Sequence, residues 1–101
     1  MRLATVEGTA GSRLHVWARG GYVDLATGSG DESLATLAGF LAGGAAAREV
    51  AEALRAEAGA AVADSALGPA VPAPPRVFCL GLNYRAHAAE GGREAPSWPE
   101  I

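Results

Sequence analysis

Four prolines, Pro69, Pro72, Pro74 and Pro75, fall between Leu67 and Pro75. Each lacks a backbone N–H, so this stretch can sit neither inside a helix nor in the middle of a sheet. It must run extended, and it divides the chain into residues 1–66, a connector over 67–75, and residues 76–101. With 101 residues in all, the front part has to build whatever core it needs from a limited stock. Half of the chain is apolar, but alanine inflates that figure. Leu, Ile, Val and Phe make up only about a fifth of the residues, near the lower edge for a self-sufficient globule. A larger partner surface would therefore help it.

The front part begins with a β-prone run, Leu3 to Val6, followed by the turn-forming Gly8-Thr9-Ala10-Gly11-Ser12. Leu14-His15-Val16-Trp17-Ala18 then alternates in polarity, Arg19-Gly20-Gly21 offers a second turn, and Tyr22 to Leu25 supplies a third strand. The expectation is an antiparallel meander with His15, Trp17 and Arg19 facing outward. Thr27 to Asp31 reads as a loop. Asp31 or Ser33 then caps a helix whose Leu34, Leu37, Ala38 and Leu41 keep the i, i+3, i+4, i+7 spacing, and Gly43-Gly44 ends it. A second helix runs from about Ala45 to Ala58, with Val50, Ala53 and Leu54 on its apolar side and a Glu52–Arg55 pair on the other. Beyond the prolines, Val77-Phe78-Cys79-Leu80 is continuously apolar. It reads as a strand buried on both faces, where Cys79 is a small inert hydrophobe.

Charge and composition remove several classes of function. The net charge is −3 and every basic residue is Arg, which leaves no basic patch for nucleic acid. Gly28-Ser29-Gly30-Asp31-Glu32-Ser33 lacks the third glycine of a dinucleotide fingerprint, and without lysine there is no phosphate-binding P-loop. A single cysteine forms neither an internal disulfide nor a thiolate zinc site. Glu49 and Glu52 beside arginines read as a solvated surface. Early Glu7 and Gly8 interrupt any signal-peptide core, and no run approaches membrane-spanning length, so a cytoplasmic protein with no membrane partner is expected.

The chemistry-bearing stretch is Gly81-Leu82-Asn83-Tyr84-Arg85-Ala86-His87-Ala88-Ala89-Glu90. His87 and Glu90 lie three apart, so one turn of helix puts them on the same face. An imidazole with an ordinary pKa near 6.5 can take a proton from water close to neutral pH, and a carboxylate on its other nitrogen fixes the tautomer and raises its basicity. Taken alone, an H-x-x-E pair is more often an ordinary solvated pair on a helix. Arg85 suits forked hydrogen bonds to a carboxylate, against the plain reading of a solvated charge. Tyr84 could meet the same substrate or simply pack. His87-Ala88-Ala89-Glu90-Gly91 lacks the second histidine of an inverted zinc-protease motif.

Together with Val77 to Leu80 before it and Pro96-Ser97-Trp98-Pro99-Glu100-Ile101 after it, this decapeptide resembles the lid motif of the fumarylacetoacetate hydrolase family. The whole layout, front domain, connector, strand and lid, is similar to the beginning of such proteins. The resemblance implies an α+β fold: a small antiparallel β-meander with two helices, then a Pro-rich connector, then the first strand and lid helix of a β-rich catalytic domain not contained in these residues. It implies metal-dependent hydrolysis, isomerisation or decarboxylation of a small oxo-acid, with His87 and Glu90 activating water and Tyr84 and Arg85 meeting the substrate. The Mg²⁺ or Mn²⁺ of the complete family protein would be bound by carboxylates beyond the lid, so no metal and no activity are expected of this chain alone. The implied partners are the β-rich domain or subunit, the oxo-acid, and a second copy in a homodimer. The alternative is a free-standing, non-catalytic interaction module derived from the same family. The sequence fixes neither the oxo-acid nor the oligomeric state.

Overall fold

The computed structural model describes residues 1–79, 84–94 and 97–98. Leu80 to Asn83, Pro96 and Pro99 to Ile101, on which parts of the strand and lid expectations rest, lie outside the described residues. The fold is mixed α+β. Strands β1 (Leu3–Gly8), β2 (Gly11–Ala18) and β3 (Gly21–Asp24) form an antiparallel sheet in the order β1-β2-β3. Leu3 pairs with Val16 and Thr5 with Leu14, while Val16 pairs with Val23 on its other side. Period-two alternation therefore sends Leu14, Val16 and Ala18 to one face, where all three are buried. Trp17, on the opposite face, stays 38% exposed. Its ring meets Tyr22 edge-on at 5.0 Å, and the Arg2 guanidinium stacks 5.4 Å from its centre.

Helical structure covers the apolar face in pieces that differ from the sequence expectation. The third strand stops at Asp24 because that side chain accepts the Thr27 N–H at 2.9 Å, capping a short helix α1 (Leu25–Ser29) where a loop was expected. Burial of Leu25 and Ala26 accounts for the turn, a tertiary effect that local glycines conceal. Asp31 then caps a 3₁₀ turn, Glu32–Ala35, through the Ser33 N–H, and this turn buries Leu34. Thr36 is extended, and its hydroxyl accepts from the Gly39 N–H at 3.1 Å to start α2 (Leu37–Leu54). Because the helix restarts after Thr36, the expected Leu34-Leu37-Ala38-Leu41 stripe does not hold. Phe40 is the residue that enters the core, whereas Ala38 is exposed and Leu41 is 67% exposed.

The ladder of α2 is interrupted at Gly44 (φ 57°, ψ −128°), so the glycine pair breaks the helix as expected. The second half ends at Leu54 rather than Ala58. It buries Ala47 and Ala51, with Val50 and Leu54 packed beside them; Ala53, expected on this side, faces solvent. The Glu52–Arg55 pair forms at 2.6 Å. One cluster joins Leu14, Val16, Leu25, Leu34, Phe40, Ala47 and Ala51.

After α2 the chain returns to the sheet and covers both of its edges. Tyr22 and Ala60 exchange backbone hydrogen bonds of 2.8 and 2.9 Å beside β3. The Gly68 N–H donates to the Thr5 carbonyl at 2.9 Å, and Leu67 sits opposite Val6 beside β1. Gly21 and Gly59 pass so close that a Cβ on either would strike the other strand's backbone. Pairing of this kind reduces the unpaired edge that another chain could use.

Residues Arg76 to Cys79 form neither helix nor strand, and Val77 and Phe78 are 73% and 74% exposed. The strand expected there, buried on both faces, is absent over these residues, and Cys79 is exposed rather than buried. An extended run becomes a strand only when a neighbour takes up its backbone groups.

One ion-pair cluster fastens α1 and the 3₁₀ turn to the sheet. Arg13 donates from Nε to Asp24 at 2.6 Å and from Nη1 to Glu32 at 2.7 Å. Partial burial pushes the Asp24 carboxyl up, but hydrogen bonds from Arg13 and from the Thr27 N–H outweigh it and leave the pKa below its ordinary value. Glu32 is also lowered, chiefly by its hydrogen bond from Arg13. A depressed carboxyl contributes stability that is present above its unfolded pKa and is lost as the pH falls through the folded one. Unfolding free energy should therefore decline as the pH drops below about 4, and Arg13→Ala should make that decline shallower in urea titrations at successive pH values.

The broken helix makes a second prediction. Leu25→Ala should lower the unfolding free energy by about 2–5 kcal/mol, whereas Leu41→Ala should change it by less than about 0.5 kcal/mol. Urea midpoints of the two variants check this, and a loss at Leu41 as large as that at Leu25 would place Leu41 in the core.

Candidate functional site

Helix α3 (Arg85–Glu90) forms where the sequence placed the lid helix. Tyr84 precedes it in an extended conformation, and the Tyr84 carbonyl accepts the Ala88 N–H at 3.1 Å to open the helical ladder. The helix closes in a Schellman arrangement: the Gly92 N–H donates to Ala89 at 3.0 Å and the Arg93 N–H to Ala88 at 2.9 Å, with Gly92 at φ 65°. Only glycine takes that conformation without a steric penalty, so Gly92 fixes where the helix carrying the pair must stop.

The spacing places His87 and Glu90 on one face of α3, and both are exposed. Among the described residues, no hydrogen bond or ion pair joins them, so the orienting contact of Glu90 on the imidazole is not made in this arrangement. Tyr84 is 73% exposed and Arg85 is also exposed. Ala88, pointing away from the pair, is buried. Asn83, with Leu82 and Gly81 of the same motif, lies outside the described residues.

No group of three or more His, Cys, Asp or Glu among the described residues is arranged to hold a metal ion. The chemistry that His87, Glu90 and Arg85 themselves can supply is proton transfer and carboxylate binding. His15 is held on the sheet, its Nδ1 3.1 Å from the Arg13 carbonyl. No described helix is long and apolar enough to cross a membrane.

Two features were missed by the sequence reading. One is the Arg13–Asp24–Glu32 cluster. His15 faces Asp24 in the register, which makes Arg13 a diagonal neighbour of Asp24, a relation legible only once the hairpin register is known. The other is a cleft of about 230 Å³ between the sheet, the start of α2 and the Pro-rich connector. No protein-family model matches the chain, and no curated protein and no solved structure matches it.

Gly92→Val should fray α3 from its C-terminal end, since a β-branched residue there meets a left-handed penalty of about 1–2 kcal/mol. Faster amide exchange at Gly91 to Arg93, with the sheet amides unchanged, is the expected readout.

Proposed function

We propose that this chain is the front portion of a metal-dependent oxo-acid hydrolase, isomerase or decarboxylase resembling the fumarylacetoacetate hydrolase family, with His87 as the general base. The observation that carries the proposal is the position of His87 and Glu90 on one open face of α3, directly after the Gly-Leu-Asn-Tyr sequence. In this reading residues 76–101 are the first strand and lid of a β-rich catalytic domain, and 67–75 is the connector to it. His87 takes a proton from water, and Glu90, once rotated onto the other ring nitrogen, holds the tautomer and stabilises the imidazolium. Arg85 and Tyr84, both accessible, receive the carboxylate and a carbonyl oxygen of the oxo-acid. The divalent cation belongs to carboxylates of the β-rich domain, and the chain alone is inactive. The complete protein works in the cytoplasm.

A second reading, a non-catalytic interaction module, is favoured by one observation. Val77, Phe78, Tyr84 and Trp98 are each more than 70% exposed, as expected of a surface made to be covered.

The readings separate in a protein that continues through a Phe-x-Lys and a Glu-x-Glu segment. With Mg²⁺ and an acylpyruvate or oxaloacetate, His87→Ala should lower kcat by about 10²–10⁴-fold while metal affinity stays within about twofold. Undiminished turnover would refute the assignment of His87, and a wild type inert toward every oxo-acid would favour the interaction module.

A further inference from the structure

The cleft between the sheet, α2 and the connector has walls of Leu14, Leu37, Leu41, Val71, Pro72 and Pro75. What distinguishes it is a lining that is mostly aliphatic, with three of its polar side chains, Ser12, Arg13 and Thr36, already engaged. The Ser12 hydroxyl donates to Glu7 at 2.7 Å, the Thr36 hydroxyl accepts the Gly39 N–H, and Arg13 is shared between Asp24 and Glu32. No buried side-chain nitrogen or oxygen among the described residues lacks a partner. An anion entering here would find Arg13, the one cation among the described residues that line the cleft, already paired with Asp24 and Glu32, and a polar ligand would give up its water for walls that are mostly aliphatic. An uncharged apolar molecule would exchange water for dispersion contacts with leucine, valine and proline.

We infer that this cleft is a binding site for a small neutral apolar ligand, of the size of a single aromatic ring or a short alkyl chain. The volume supports that size, since a dry cavity of about 150 Å³ lined by aliphatic side chains suffices for benzene. The walls support a free small molecule as occupant: the sheet, the helix and the connector each flank the open cleft. The connector wall can also yield, because residues 69–75 make no backbone hydrogen bond to the sheet or helices. The site is separate from His87 and Glu90, and it does not depend on the function proposed for them.

Toluene is the probe, titrated into the 101-residue chain while the methyl resonances of Leu14, Leu37, Leu41 and Val71 are followed by NMR. Saturable shifts at these methyls, with none at Val62, are expected. Leu41→Glu and Val71→Asp place a carboxylate on opposite walls at positions 67% and 51% exposed, where the core is not disturbed. Each should weaken toluene binding at least tenfold, and benzoate should produce no saturable shift in the unaltered chain. Linear shifts spread over all exposed methyls would overturn the site, as would saturation that survives both substitutions or benzoate binding as tightly as toluene. Cleft-methyl shifts that depend on protein concentration without toluene would overturn it too, by assigning the space to a second copy.

Discussion

The sheet has one apolar face, and everything else in the fold follows from covering it with few large side chains. Val16 and Leu25 are fully buried, and the second half of the helix laid against them buries Ala47 and Ala51, with Val50 and Leu54 only partly buried beside them. Small residues let α2 approach closely, so a chain poor in Leu, Ile, Val and Phe still excludes water from its centre. Phe40 and Leu34 fill the other end. The breaks at Thr36 and Gly44 serve this packing, since they let three helical pieces each turn a different short apolar side toward the same sheet.

A core this thin leaves backbone edges as the main exposure risk, and the chain meets it by folding residues 57–68 back along both outer strands. The pairings at Tyr22 and Thr5 satisfy donors and acceptors that would otherwise face water or another protein. The chain thereby pairs with each outer strand at least at one point. Val77 to Cys79 form no regular structure beside the sheet, and Phe78 is exposed.

The meander was legible because alternation, turn glycines and strand length agreed. The helical breaks at Gly43-Gly44 and the helix bearing His87 were legible for the same reason, a local signal unopposed by packing. The apolar stripe through Leu34, Leu37, Ala38 and Leu41 misled, because a 3.6-residue period is invisible to a threonine that stops one helix and caps the next. Ala53 misled because an alanine is equally at home inside and outside, and only the distance to the sheet decides. Within the candidate site, the spacing of His87 and Glu90 was readable, but their exposure and the absence of a bond between them were not.

What the sequence determined by itself is therefore periodic and local: three strands, their turns, and one helical turn carrying an imidazole and a carboxylate. The tertiary structure decided which apolar residues are inside, how Arg13 comes to lie between Asp24 and Glu32, and where a cleft opens against the connector. Those outcomes depend on strand register and on the angle at which helices meet the sheet. Both are set by the packing of many side chains at once, and no single stretch of residues encodes them.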